Sequence, residues 1–423
     1  MLITVGSVDS IRNLPATALM GDTIVMGFAL ALCCFLLPVT VVVAWFARQS
    51  VEGVYGWVKT GLGARSGFQA VWFQWMQNIL VYPTLLSFIA GLILYTINPQ
   101  LAENPRYLFV MINVLIWTLT WINLKGIYLS ARFNAVCTLA GLVLPFLLII
   151  GAGLFGFLTD NQPHVAQSTG FHEGMSLTAI ILSLCGMEIA GVHGRESKNG
   201  AFVKALFLSV IIIVVSSLFG ALTIHRFIPA EQLSLVNGIP QFIELVLTRI
   251  HYPQYAAFFN ILVVLGCVGC ANNWLIAPVK GLMFASETSA SQTGLLLVQA
   301  GCVSLLSTLF LFFPEVNASY WLMLILATQM YLFMYVMMFA SAIRLQWLSG
   351  QYRMLLFSVS GLTTVLVLIA TGFQAPAQIS VHSQWMYGWV TALILISLSW
   401  ASCGFNAWFR SPFAANLSHK DRV

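Results

Sequence analysis

Residues 182–199 read LSLCGMEIAGVHGRESKN. The run entering this stretch, 177–184, is apolar enough for a bilayer. It then delivers a carboxylate, Glu188, between Gly186 and Gly191. A second carboxylate, Glu196, follows His193, Gly194 and Arg195. Packing gives an apolar helix no reason to carry an acid, which costs roughly 2.5–3.5 kcal/mol at mid-bilayer. Closely spaced glycines loosen a helix where backbone groups must face something other than their own turn. The stretch is therefore expected to be a broken transmembrane helix lining a solute site.

Composition sets the class. Hydrophobic residues make up 59% of the 423 and charged residues 7%, with a mean hydropathy of +0.90. A soluble domain carries about a quarter charged residues, so the chain is expected to be a polytopic helical membrane protein with no sizeable soluble domain. The eight cysteines lie mostly in apolar runs without metal-ligand spacing and read as small packing residues. No metal, cofactor or nucleic-acid partner is expected. Nor is a cleavable signal peptide, because Asp9 and Arg12 interrupt the opening residues. The histidines form no H-E-x-x-H and no G-x-S-x-G occurs, so no catalytic residue is assigned and an intramembrane enzyme is set aside.

A span needs about 20 apolar residues. On that basis twelve are expected, at 2–19, 23–46, 68–97, 107–124, 133–158, 175–195, 201–227, 255–286, 295–313, 320–345, 355–373 and 387–409. Two amphipathic pieces lie outside them, 51–63 and the helix IPQFIELVLTRI at 239–250. With a cytoplasmic N-terminus, thirteen basic residues fall in cytoplasmic loops and the tail: Arg48, Lys59, Arg65, Lys125, Arg132, Arg195, Lys198, Lys204, Arg344, Arg353, Arg410, Lys420 and Arg422. Arg106, Arg226 and Arg249 fall opposite. That bias agrees with the positive-inside rule, so both termini are expected in the cytoplasm of a bacterial inner membrane.

Spans one and six are the two most interrupted by glycine and charge, and they lie five spans apart. Interrupted segments at matching positions of two halves point to a transporter with inverted repeats, its site between half-helix ends near the midplane. The repeats would be 1–158 and 175–347, followed by two further helices at 352–410 and a short tail at 411–423. Free N–H groups at one half-helix end attract a carboxylate, and free C=O groups attract an ammonium. That pairing suits an amino-acid zwitterion.

The first span, ITVGSVDSIRNLPATALMG (3–21), the loop EGVYGWVKTGLG (52–63), the sixth span and the tenth, VNASYWLMLILATQMYLFMYVMMFASAIRL (316–345), carry a resemblance. The chain resembles the amino acid–polyamine–organocation superfamily of permeases, and within it the bacterial glutamate/γ-aminobutyrate antiporters. The resemblance implies a LeuT-type five-plus-five inverted repeat with broken helices one and six, and amino-acid exchange. It implies that Val5, Gly6 and Ser7 present backbone to the substrate, with Gly186, Met187 and Glu188 at the matching break and Gln77 facing the cavity. The chain departs from the pattern in several places. Five residues precede Gly6, Arg48 follows Trp45 and Phe46 without the usual acid, Asn199-Gly200 replaces Asn-Pro, and the loops after spans eight and ten are short.

Each candidate has a plainer alternative. Glu188 is either a site group or a structural carboxylate bonded to exposed backbone. Arg195 and Glu196 are either an inner-gate ion pair or a solvated helix end. Asp9 and Arg12, three apart, either pair within their helix or act in a gate. Gln77, Asn78 and Tyr82, like Asn272 and Asn273, read more readily as interhelical hydrogen bonds than as ligands; Lys280 reads as a snorkelling residue. Gln329 and Tyr331 are weaker candidates. Proton coupling would use Glu188, Glu196 or Asp9, and a sodium site is not expected. The leading expectation is an amino-acid exchanger acting by alternating access, as monomer or homodimer in the lipid bilayer. The alternatives are a proton-coupled amino acid or polyamine permease, or a truncated permease that is inactive or acts as a sensor.

Overall fold

A computed structural model describes residues 11–49, 53–125, 144–159, 180–191, 201–286, 292–312, 316–374 and 384–409. Among these residues the regular structure is helical throughout. This is the outcome hydrocarbon demands, because an α-helix satisfies its backbone groups within itself. Among the described residues nine helices are long and apolar enough to cross a membrane: Gly21–Ala47, Ala64–Ile97, Pro105–Leu124, Phe202–Phe227, Pro253–Asn272, Gln292–Phe312, Val316–Leu348, Tyr352–Thr371 and Gln384–Phe405. They coincide with predicted spans two, three, four and seven to twelve. Spans one, five and six are described in part, as Leu14–Ala18, Leu144–Thr159 and the segment around Met187–Gly191.

Span three is the central pillar. Its 34 residues rise about 50 Å, and it is buried on nearly every side against spans eight and ten. Span twelve adds to it through the Trp72 indole, which donates to the Leu398 carbonyl at 2.9 Å, and through Phe405, whose ring sits 4.9 Å from Trp72. The outer face of span twelve exposes Trp385, Trp389 and Trp400, as a lipid-facing helix does.

Span eight contains Pro278. A proline has no N–H, so the carbonyl four residues back, Trp274, loses its helical donor. Asn78 of span three supplies one instead, its Nδ2 standing 3.0 Å from that carbonyl. One turn away, Tyr82 donates to the Ala271 carbonyl at 2.6 Å. Asn123 of span four donates to Asn272 at 2.7 Å. These three polar positions are helix-to-helix hydrogen bonds, the plainer of their two readings; the side chains of Asn273 and Lys280 lie outside the described residues. Asn78→Ala should therefore lower thermal stability in detergent by about 1–2 kcal/mol, because it orphans the Trp274 carbonyl. A melting curve matching that of the unaltered protein would remove this role.

Both amphipathic pieces form helices. Gly53–Leu62 lays its apolar face, including Trp57 and Val58, against spans three and ten and exposes Lys59 and Thr60. Ser341 of span ten donates to the Trp57 carbonyl at 2.6 Å, and Arg344 to the Gly61 carbonyl at 2.8 Å. The approach leaves no space for a side chain at Gly61, where a Cβ would meet Ser341 Oγ at 2.1 Å. Gly238–Arg249 is the second helix; Gly238 abuts Pro15 of span one, and Tyr95 at the end of span three donates to Glu244 at 2.6 Å.

Candidate functional site at the break in span six

Helical bonding in span six runs to Leu184, whose N–H reaches Ile180 and Ile181. Leu184–Gly186 is then non-helical, and the helix resumes at Met187. Gly186 has φ +112°, a conformation that a residue with a Cβ rarely adopts. Its N–H leaves the helical ladder and donates to the Tyr335 hydroxyl of span ten at 3.2 Å. The break expected from the glycines is thus present, and a side chain from another helix takes up the N–H it frees.

Glu188 follows two residues later, at the start of the resumed helix, and is 1% exposed. Tyr335 donates to its Oε2 at 2.6 Å, Tyr331 donates to its Oε1, and Gln74 of span three approaches Oε1 at 3.3 Å. The backbone N–H groups of Gly186 and of Glu188 itself also face the carboxylate. Tyr331 and Tyr335 are four residues apart, so one face of span ten presents both phenols, their ring centroids 5.3 Å apart. Span two enters through Phe35, edge-on to Tyr335 at 5.2 Å. Phe35 lies in a π-helical turn, Leu32–Leu36, just before Pro38, which cannot donate back along the helix.

Four spans therefore converge on one buried carboxylate. Surrounded by donors, it can trade a phenol for another donor such as an ammonium. Among the described residues no group of three His, Cys, Asp or Glu side chains could hold a metal ion.

The predicted site residues fare differently. Gly186, Met187 and Glu188 stand together at the break, all buried. Gln77 is buried one turn from Gln74 with its Oε1 unpartnered; it is Gln74 that bonds Glu188. Arg12 is buried and donates from Nη1 to Thr84 of span three at 2.8 Å. Val5, Gly6, Ser7, Asp9, Arg195 and Glu196 lie outside the described residues. Tyr331, a weak candidate by sequence, is a principal partner of Glu188, while Gln329 is fully buried with neither amide atom partnered. Gln74, Tyr335 and Phe35 were missed. The one signal for them was a pair of tyrosines at i and i+4 in an apolar span.

Among the described residues, nine helices long and apolar enough to cross a membrane and a broken helix carrying a clasped carboxylate define a multi-pass membrane protein. The sequence profile described as "Amino acid permease" matches residues 1–397. The chain belongs to that family, within the amino acid–polyamine–organocation superfamily. It is 31% identical to an uncharacterized transporter of Legionella pneumophila, over 92% of this chain and 91% of the relative. It is 28% identical to a glutamate/γ-aminobutyrate antiporter of Lactococcus lactis, over 58% of this chain and 50% of the relative. An arginine/ornithine antiporter of Pseudomonas aeruginosa is 24% identical over 65% of this chain and 58% of its own length.

Proposed function

We propose that this permease is an amino-acid exchanger working by alternating access, with Glu188 at its solute site. The observation that carries the reading is the clasp of Gln74, Tyr331 and Tyr335 on Glu188 at the helix break. The clasp ties the interrupted span six to the long spans three and ten. An incoming ammonium competes with the phenols for the carboxylate and so loosens that tie only when solute is present. A solute that binds one state of the tie better than the other shifts the equilibrium between states, which is the requirement for coupled exchange. The twelve-span count, the five-plus-five repeat, the inner-membrane location and the cytoplasmic termini belong to the same proposal. The names of the two antiporters support exchange over one-way transport.

The test is uptake into proteoliposomes of labelled glutamate, γ-aminobutyrate, glutamine, arginine and lysine. Exchange predicts uptake at least about tenfold faster when the vesicles are preloaded with unlabelled amino acid than when empty. Uptake by empty vesicles that depends on an inward proton gradient would replace this reading with proton symport, for which Glu188 is the described candidate. No uptake of any of the five would overturn amino-acid transport.

A further inference from the structure

We propose that Arg12 is a second, separate station on the solute path, one that receives a carboxylate of the transported amino acid. The proposal rests on the transport reading above. Arg12 is 8% exposed and lies in the described part of span one. A guanidinium has five N–H donors and always carries its charge. Among the described residues Arg12 makes one hydrogen bond, to Thr84, and its Nε is buried without a partner. Cys267 and Cys270 of span eight and Tyr320 of span ten lie within electrostatic range of it. The Tyr320 hydroxyl is itself buried and unpartnered. Cationic and neutral donors thus meet at a junction of spans one, three, eight and ten, where no carboxylate among the described residues faces them.

Burying a cation without an anion is costly, and the guanidinium fork fits a carboxylate with two parallel bonds. The anion has two available sources: Asp9, three residues earlier in the chain, or the solute. Position favours a role distinct from that of Glu188. Thr84 follows Gln74 by ten residues on one helix, a rise of about 15 Å. That is too far for one α-carboxylate and one α-ammonium to engage both ends at once. Between them the Oε1 of Gln77 is also buried without a partner. The solute therefore meets Arg12 through its carboxylate at one stage of its passage and Glu188 through its ammonium at another. Amines that lack a carboxylate are excluded at the first stage.

The experiment uses the full chain in proteoliposomes. It compares how well matched pairs compete with the labelled amino acid that the unaltered protein takes up best: L-lysine against 1,5-diaminopentane, L-arginine against agmatine, 4-aminobutyrate against butylamine. In the unaltered protein only the carboxylate-bearing member of a pair should compete well. In Arg12→Gln its half-inhibitory concentration should rise roughly 30-fold or more while that of the amine stays within about threefold. Arg12→Lys, which keeps the charge, should recover part of the discrimination, and it carries the test if the Gln variant does not fold. Asp9→Asn should leave discrimination in place. Undiminished discrimination in Arg12→Gln overturns this proposal alone. So does a double variant, Asp9→Asn with Arg12→Gln, that regains it, since the pair would then be structural. Absence of amino-acid uptake by the unaltered protein overturns the transport reading and this one with it.

Discussion

Replacing Glu188 with leucine should reduce exchange at least about 100-fold, a loss of roughly 2.7 kcal/mol, in protein that still reaches the membrane. The side chain removed is the acceptor for Tyr331, Tyr335 and Gln74. Leucine fills the volume but leaves two buried phenols and an amide without their partner, each at a cost of about 1–3 kcal/mol. It also removes the carboxyl group that an ammonium would meet. Glu188→Gln separates the two effects, since the amide keeps one acceptor oxygen for the phenols and lacks the charge. If the charge is what transport uses, the Gln variant should melt near the unaltered protein and exchange far more slowly. A Gln variant that exchanges at the normal rate would make Glu188 a structural carboxylate, and the clasp would then be a fastening rather than a site. Tyr335→Phe gives an intermediate loss, because it deprives both Oε2 and the Gly186 N–H of a partner.

The second large effect is expected at Gly186. Its φ of +112° lies outside the basin that asparagine or aspartate tolerates, so any side chain there is strained. The strain alone is of order 1–3 kcal/mol. The chain could relieve it by closing the break into continuous helix, which would withdraw the N–H from Tyr335 and turn Glu188 away from the phenols. Gly186→Ala is thus expected to lower the melting midpoint and abolish exchange together. Ser183→Ala is the matched control in the same stretch. Among the described residues its hydroxyl only donates back to the Ile180 carbonyl at 2.7 Å, so its loss should change neither property appreciably. A Gly186→Ala protein with normal melting and normal exchange would show that the break is dispensable.

Much of the fold was legible because hydrocarbon allows few choices. A run of about 20 apolar residues becomes a helix in a bilayer whatever its neighbours are. Among the described residues, nine of the twelve expected spans accordingly recur as helices long and apolar enough to cross. The two amphipathic pieces were readable from their one-sided apolar pattern. The break in span six was readable because glycine beside a carboxylate has no use in an unbroken apolar helix.

The contacts between helices were not legible in the same way. Gln74 and Gln77 are one turn apart and chemically identical, yet one bonds Glu188 and the other leaves its carbonyl unpartnered. Helical rotation against a neighbour decides between them, and no residue type encodes that rotation. Pro278 announces a free carbonyl in span eight, but only packing brings Asn78 of span three to fill it. Tyr331 and Tyr335 read as two more aromatic residues in an apolar span until span ten is set beside span six.

The amino-acid order by itself determined the nine described segments that are long and apolar enough to cross, where the sixth span opens, and that an acid stands at the opening. These follow from local chemistry, the burial of apolar side chains and the conformational freedom of glycine. The tertiary structure decided that the acid is held by two phenols and an amide from helices more than a hundred positions away. The physical reason is that a buried carboxylate must collect donors from whatever surrounds it, and in a bilayer those surroundings are other helices.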